Sequence, residues 1–181
     1  MKRSGLYLIA SLAIAIGSVH CSFAQPQRVI IIRHGEKPDQ GENLSCQGLN
    51  RALELPPVLH QKVGTPSAIY VPSINQGKST GVARMYQTIV PFAIRYNLNV
   101  STKYEVDDAQ GLANAIKKQQ GTVLVVWEHK QAGKILKALG VATKEKWPDD
   151  DFDSMWIVTF KNGVASFSKD SEGLHPPANC Q

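Results

Sequence analysis

The stretch Val29-Ile30-Ile31-Ile32-Arg33-His34-Gly35-Glu36 decides how this chain of 181 residues is expected to fold. Its first four residues are β-branched and apolar, a pattern that predicts a buried β-strand. A cation, an imidazole and a glycine follow where that strand should end. Open α/β sheets bind ligands at the carboxyl ends of their strands, and glycine lets the backbone approach a ligand closely. Residues 33–36 are therefore predicted to form part of a site.

Strand and helix patterns alternate along the rest of the chain. Further strands are predicted at 68–71, 99–103 and 122–127, and helices at 45–59, 79–96, 109–119 and 131–139. Two last strands, 155–160 and 164–167, flank Asn162-Gly163, a dipeptide typical of a short hairpin. The alternation predicts an α/β fold with a mainly parallel sheet and an antiparallel C-terminal hairpin.

The two helices nearest to the predicted site have features that can be tested against a structure. The first should be capped by Ser45 and kinked or interrupted near its end by Pro56-Pro57. The second should be capped by Ser79 or Thr80. The apolar side of the first helix is expected to consist of Leu49, Ala52, Leu53 and Leu59.

Residues 1–24 have the pattern of a secretion signal. Lys2 and Arg3 precede an apolar stretch at 6–19, and Ser22-Phe23-Ala24 places small residues where a signal peptidase reads them, so cleavage is expected after Ala24. The expected product is a single domain over residues 25–181, periplasmic or secreted, with no stable membrane insertion after cleavage. An uncleaved N-terminal anchor is the alternative.

The charge of the chain is mildly positive. Loss of Lys2 and Arg3 with the signal would lower the net charge from +5 to +3. This charge is compatible with an anionic small substrate and is too weak and too scattered to predict nucleic-acid binding. The acidic run at 149–153 does not have the spacing of an EF-hand calcium loop, so it is expected to be a solvated turn.

Cleavage would leave two of the three cysteines, Cys46 and Cys180. In an oxidising compartment an isolated pair favours a disulfide, which would attach the C-terminal tail to the loop after the first strand. Closing so long a loop could contribute roughly 4–5 kcal/mol, less any strain. The alternative is two free thiols.

Two histidines follow the two strongest strand patterns. His34 follows 29–32, and His129 ends the run 125–129, so both should emerge at the same edge of a parallel sheet. A zinc site would need three or four ligands, a third is not evident, and the cation of Arg33 would disfavour a metal. An arginine suits a phosphoryl group, which it can bind bidentately, and a neutral imidazole can act as a nucleophile.

Four segments together resemble the histidine phosphatase superfamily, which has the phosphoglycerate mutase-like fold. Arg33-His34-Gly35-Glu36 resembles the signature at the end of the family's first strand. The stretch 44–52 resembles the entry to its first helix, Arg84-Met85-Tyr86-Gln87-Thr88 resembles the motif on its next helix, and 123–129 resembles the late strand with the second essential histidine. The resemblance covers roughly residues 28–139, most of the chain after the signal, and implies a three-layer α/β/α architecture for the domain.

The resemblance also implies roles for individual residues. His34 would be the nucleophile that becomes phosphohistidine. Arg33, Arg84 and His129 would hold the phosphoryl oxygens and the charge that develops on them. Large insertions that form a substrate lid in phytase-like relatives are absent from the sequence, which implies an open pocket.

The proton donor to the leaving group is not fixed by these motifs. In many relatives it is an acid in the segment after the third strand, where Glu105, Asp107 and Asp108 compete. Glu128 is a further candidate because it precedes His129. Glu105 is the preferred prediction.

The predicted function is that of a secreted phosphatase that hydrolyses phosphomonoesters through a phosphohistidine on His34, with no metal and no cofactor. Its partner would be a small phosphorylated substrate. Two alternatives stay open: a non-catalytic phosphate-binding envelope module, and a phosphatase of phosphohistidine or phosphoprotein substrates. The sequence does not identify the substrate or the oligomeric state.

Overall fold

The computed structural model describes residues 26–74 and 81–180. The predicted signal, Ser79 and Thr80 lie outside these ranges. Within them, no helix is both long enough and apolar enough to cross a membrane. The elements in chain order are β1 (Pro26–Arg33), α1 (Cys46–Val63), β2 (Ala68–Pro72), a 3₁₀ turn (Gly81–Ala83), α2 (Arg84–Arg95), β3 (Val100–Tyr104), α3 (Ala109–Ile116), β4 (Gly121–Trp127), α4 (His129–Leu139), β5 (Ser154–Lys161) and β6 (Val164–Ser171).

The strands form one sheet in the order β3-β2-β4-β1-β5-β6. The neighbours β3, β2, β4 and β1 run parallel, whereas β5 pairs antiparallel with β1, and β6 antiparallel with β5. The turn between β5 and β6 has positive φ angles at Asn162 (52°) and Gly163 (80°), which suit a tight hairpin turn. The predicted mainly parallel sheet with an antiparallel C-terminal hairpin is confirmed.

The two faces of the sheet carry separate apolar clusters, which makes the fold three-layered. Alternate residues of a strand point to opposite faces. Ile30 and Ile32 pack with α1 and α2 on one face. Val29 and Ile31 pack with α3 and α4 on the other. Because all four side chains are at most 1% exposed, β1 is buried on both sides, as its unbroken β-branched run predicts.

Helix α1 differs from the prediction in two ways. Leu49 and Leu53 are 45% and 58% exposed, because the buried stripe runs through residues 52, 55, 59 and 63, to one side of both leucines. Pro56-Pro57 also does not interrupt the helix, which continues to Val63. Burying apolar side chains of this size contributes about 1.5–3 kcal/mol each. Such burial beyond the prolines offsets much of the roughly 3 kcal/mol that a proline costs inside a helix.

Two helices begin at other residues than predicted. Helix α2 starts at Arg84, after the 3₁₀ turn, and its N-cap residue Ala83 provides no side-chain hydrogen bond. Helix α4 starts at His129 rather than at residue 131, with Glu128 as its N-cap residue. Arg84 and His129 are thus the first residues of their helices. Both helices follow strands of the parallel sheet, so these side chains lie near the carboxyl ends of the strands, as His34 does.

Candidate active site

The ring of His34 is buried at the end of β1 and is held by its own loop. It is 3% exposed, and its Nδ1 lies 2.7 Å from the carbonyl oxygen of Gly35. Because a carbonyl only accepts hydrogen bonds, Nδ1 carries the hydrogen, and the neutral ring has its lone pair on Nε2. Burial, reinforced by the positive charges of Arg33 and Arg84, lowers the pKa of His34 to about 4. At neutral pH the ring is therefore an uncharged base.

Helix α1 supports this loop through two glycines in contact. A Cβ atom on Gly35 would lie 2.8 Å from the carbonyl oxygen of Gly48, and one on Gly48 would lie 2.8 Å from the backbone nitrogen of Glu36. Ser45 completes the junction, because its N–H and its hydroxyl both donate to the carbonyl oxygen of Glu36 (2.9 and 3.1 Å). Its hydroxyl also accepts from the N–H of Gly48 and caps α1 as predicted. Only glycine allows the two backbones to approach this closely.

Helix α2 supports the same loop from the other side. The hydroxyl of Thr88 accepts from the N–H of Gly35 (2.9 Å) and donates to the carbonyl oxygen of Arg84 (2.8 Å). The side-chain oxygen of Gln87 accepts from the N–H of Leu44 (3.1 Å). The Arg-x-x-Gln-Thr motif thus fastens the first turn of α2, and with it Arg84, to the loop that carries His34.

The guanidinium of Arg33 is held by the segment before β5. Its Nη1 donates to the carbonyl oxygens of Asp149 (2.7 Å) and Asp151 (3.0 Å). Its central carbon lies 3.7 Å from the centre of the Phe152 ring, a cation–π distance. That ring also lies edge-on to His34, with centroids 6.1 Å apart. Phe152 therefore packs against both members of the Arg33-His34 pair.

In the acidic segment 149–153, residues 149 and 150 form an exposed turn, as predicted, whereas residues 151–153 are only partly exposed and are tied into the fold. Asp151 accepts the backbone N–H groups of Asp153 (3.0 Å) and Ser154 (2.9 Å) through Oδ1. The indole N–H of Trp147 donates to the carbonyl oxygen of Asp151 (2.8 Å), and its ring stacks on Trp156. These local contacts order the segment. Sequence reasoning missed its contact with Arg33, because the two lie more than 100 residues apart.

The second predicted histidine is paired with two acids. His129 Nε2 lies 2.7 Å from Oδ1 of Asp149, whose side chain is 86% exposed. His129 Nδ1 lies 3.9 Å from Oε1 of Glu128. The hydrogen bond from His129 lowers the pKa of the Asp149 carboxyl. Glu128, one of the predicted acid candidates, therefore lies beside the site.

Three buried polar atoms in these residues have no hydrogen-bond partner. They are Nε of Arg33, Nε of Arg84 and Nδ1 of His129. Leaving a buried polar group unpaired costs about 1–3 kcal/mol, so these atoms at one sheet edge are suited to bind a ligand. Arginine Nε is always a donor, and an anion would satisfy it. In the parts of the chain that the structure describes, no group of three His, Cys, Asp or Glu residues could hold a metal ion.

Glu36, the last residue of the signature, is occupied by an ion pair with Arg51. Arg51 Nη2 and Nε donate to Glu36 at 2.8–3.1 Å, and its Nη1 donates to Glu172 at 2.6 Å and to Asp153 at 3.4 Å. Glu36, Arg51 and Glu172 are buried and Asp153 is partly exposed, so the four residues form a largely buried structural network. Burial raises the pKa of Glu172 to about 8, despite the opposing charge of Arg51.

The remaining acid candidates lie in the loop after β3. Glu105 and Asp107 are exposed, and the carboxylate of Asp108 caps α3 by accepting from the N–H of Gly111 (2.8 Å). The indole of Trp127 holds this loop against β4 through the carbonyl oxygen of Val106 (2.8 Å). The structure brings Arg33, His34, Arg84 and His129 into one site, whereas Glu105 follows β3, the edge strand two places from β4. Its role as proton donor stays a prediction.

A disulfide joins Cys46 to Cys180, with their Cα atoms 4.7 Å apart, so the predicted pairing is confirmed. It connects the first residue of α1 to the C-terminal tail. The side-chain amide of Asn50 also holds the tail, since it donates to the carbonyl oxygens of Pro177 (2.9 Å) and Asn179 (2.8 Å). The tail is thereby fastened to the helix that supports the His34 loop.

Comparisons with known proteins agree with this architecture. No family model matches the sequence, and no curated protein sequence matches it. Among solved structures, the fold is similar to that of a protein designated as the phosphohistidine phosphatase SixA from Agrobacterium tumefaciens. The TM-score is 0.58 and the sequence identity is 15%, and the match covers 81% of this chain and 99% of that one. The fold is also similar to that of the mycobacterial glucosyl-3-phosphoglycerate phosphatase Rv2419c in complex with inorganic phosphate. Here the TM-score is 0.50 and the identity is 15%, and the match covers 82% of this chain and 100% of that one. The chain therefore shares the fold of these proteins, the phosphoglycerate mutase-like fold that the sequence motifs implied.

Proposed function

We propose that the protein is a secreted phosphatase that hydrolyses small phosphomonoesters through a phosphohistidine on His34, without a metal ion. The observation that carries the proposal is the combination of an uncharged His34, with its lone pair on Nε2, and unpartnered Nε donors on Arg33 and Arg84. These features support a role for His34 as a nucleophile beside donors for an anion. Both matched structures are named as phosphatases, and one contains inorganic phosphate.

The reaction would take place in two steps. In the first, Nε2 of His34 attacks phosphorus, the P–O bond to the leaving group breaks, and the leaving oxygen takes a proton from a carboxylic acid. In the second, that carboxylate takes a proton from water as the water attacks the phosphohistidine, the P–N bond breaks, and inorganic phosphate and neutral His34 are released. The hydrogen bond from Nδ1 to Gly35 fixes the ring through both steps.

Charge compensation would supply most of the rate enhancement. The phosphoryl oxygens would receive hydrogen bonds from Nε of Arg33, Nε of Arg84 and Nδ1 of His129, the three atoms that lack partners. Glu105 is proposed as the proton donor to the leaving group, with Glu128, Asp107 and Asp108 as alternatives. The need for a donor depends on the leaving group, since an aryl oxide leaves more readily than an alkoxide.

Two other functions are distinguishable from this one. The fold shared with SixA, a protein of nearly the same extent, favours phosphohistidine in a protein as a second substrate class. A non-catalytic phosphate-binding module would bind phosphate in the same pocket and would not turn over any ester.

The test is hydrolysis of an aryl phosphate by the purified protein in the presence of a chelator. We expect turnover that His34→Ala abolishes and that His60→Ala, an exposed histidine on α1, leaves unchanged. Turnover that survives His34→Ala, or that needs added metal, would refute the mechanism. Phosphate binding without turnover would favour the binding module. If Glu105 is the proton donor, Glu105→Gln should reduce the rate of alkyl phosphate hydrolysis more than the rate of aryl phosphate hydrolysis.

A further inference from the structure

The contact between Asp149 and His129 fixes the hydrogens of a ring that the proposed function needs as a donor. Oδ1 of Asp149 lies 2.7 Å from Nε2 of His129, and an ionised carboxylate only accepts hydrogen bonds. Nε2 therefore carries a hydrogen. In a neutral ring the other nitrogen, Nδ1, would then carry a lone pair in place of a hydrogen, and that lone pair would repel a phosphoryl oxygen. Nδ1 can donate to that oxygen only if the ring holds both hydrogens.

We propose that Asp149 is a positioning residue that holds His129 in its doubly protonated form, so that Nδ1 donates a hydrogen bond to the phosphoryl group. The inference rests on the proposed function, because it concerns the same site. Asp149 does not need to touch the substrate. It acts through His129, as a carboxylate partner orients a histidine and stabilises its charged form in other sites.

The loop that carries Asp149 is well placed for this role. The backbone carbonyl of the same residue accepts from Nη1 of Arg33 (2.7 Å), so one residue contacts both a predicted phosphate-binding arginine and a predicted phosphate-binding histidine. The next residue, Asp150, is also an exposed aspartate, and it has no hydrogen bond or ion pair to His129. This difference between adjacent aspartates provides a matched pair for experiment.

Other charged groups act on His129 as well. Oε1 of Glu128 lies 3.9 Å from Nδ1, and His129 lies near enough to His34 for its charge, like those of Arg33 and Arg84, to act on that ring. A cavity of about 350 Å³ beside the ring is lined by further charged residues on α4 and the following segment. The charged and titratable groups near His129 are Glu128 at the N-cap of α4, Lys130 on α4, Arg33 and His34 at the end of β1, and Glu145, Lys146 and Asp149 before β5, while Arg84 on α2 acts with His129 on His34. Asp149 is the one that makes a direct hydrogen bond to the ring.

The experiment compares Asp149→Asn with Asp150→Asn and with the wild type. The pH dependence of kcat/KM for an aryl phosphate would be measured from pH 5 to pH 9. An asparagine cannot balance the charge of the ring. We therefore expect the activity of Asp149→Asn to fall with rising pH about 0.5–1 pH units earlier than that of the wild type. This corresponds to a threefold to tenfold loss at the upper end and almost none at pH 5. Asp150→Asn should follow the wild type, and Asp149→Glu should restore part of the loss.

A second measurement does not depend on turnover. Nitrogen-15 NMR of the His129 ring in the wild-type protein should show a hydrogen on Nε2 throughout, and loss of the Nδ1 hydrogen at a lower pH in Asp149→Asn. Identical NMR titrations in Asp149→Asn and Asp150→Asn, or a wild-type ring protonated at Nδ1 alone, would overturn the inference. An inactive wild type with the expected titration would refute the proposed function and leave the role of Asp149 in holding His129 supported.

Discussion

Replacing Gly48 by alanine should damage both the stability and the activity of the protein, although Gly48 lies inside a helix. Helix propensity alone predicts the opposite, since alanine is more favourable than glycine by about 0.5–1 kcal/mol in a helix. The structure predicts a clash instead. A Cβ atom at this position would lie 2.8 Å from the backbone nitrogen of Glu36 and 3.1 Å from its carbonyl carbon, and would overlap its carbonyl oxygen.

The size of the effect follows from these distances. Ordinary contacts between such atoms are about 3.5 Å, so the loop and the helix must separate by at least roughly 0.7 Å. The atoms to be moved are backbone atoms, and the carbonyl oxygen of Glu36 also accepts two hydrogen bonds from Ser45. Overpacking of this kind costs about 1–3 kcal/mol. Because His34 is two residues from Glu36, and a displacement of about 1 Å can reduce a rate a hundredfold, we expect kcat/KM to fall roughly tenfold to a hundredfold.

The assay is urea unfolding together with aryl phosphate hydrolysis for Gly48→Ala and a control, Gly133→Ala. Gly133 is also in a helix, but the nearest atom to a Cβ there is 3.8 Å away, so alanine should fit. We expect the control to unfold at the same or a higher urea concentration, with full activity. A Gly48→Ala protein as stable and as active as the control would show that the contact between α1 and the His34 loop is not tight, and the reasoning would be refuted.

Two further predictions concern the C-terminal part of the chain. Replacing both Cys46 and Cys180 by serine should lower the free energy of unfolding by up to about 5 kcal/mol, because the disulfide closes a loop with a sequence separation of 134 and so restricts the unfolded chain. A loss below about 1 kcal/mol in urea unfolding would contradict this. The second prediction concerns Glu172, whose pKa is raised from 4.5 to about 8 in the folded protein. Between these two pH values the folded state binds a proton that the unfolded state has lost. The free energy of unfolding should therefore decline as the pH rises from about 4.5 to 8, by at most roughly 5 kcal/mol. Glu172→Gln should remove most of that decline, and an unchanged slope of stability against pH would contradict the buried-acid interpretation.

The sequence by itself identified the strands and motifs that form one side of the site. The β-branched run at 29–32 can be buried on both faces, and β4 is similarly apolar, so the two strands that precede His34 and His129 can be predicted from composition and length alone. The hairpin at Asn162-Gly163 and the cap at Ser45 are also local, because a few adjacent residues determine them. The pairing of Cys46 with Cys180 followed from cysteine count and the expected compartment.

Only the tertiary structure decided which residues surround these motifs. Arg33 and Asp149 are 116 residues apart in sequence, and Arg51 and Glu172 are 121 apart, so no local pattern could join them. The buried side of α1 depended on how the helix lies on the sheet, which left Leu49 and Leu53 exposed. An acidic run resembles any solvated turn until the fold places it against a buried arginine and a histidine. The sequence determined which chemical groups stand at the end of β1. Long-range packing determined the charges and contacts around those groups, and with them their pKa values and orientations.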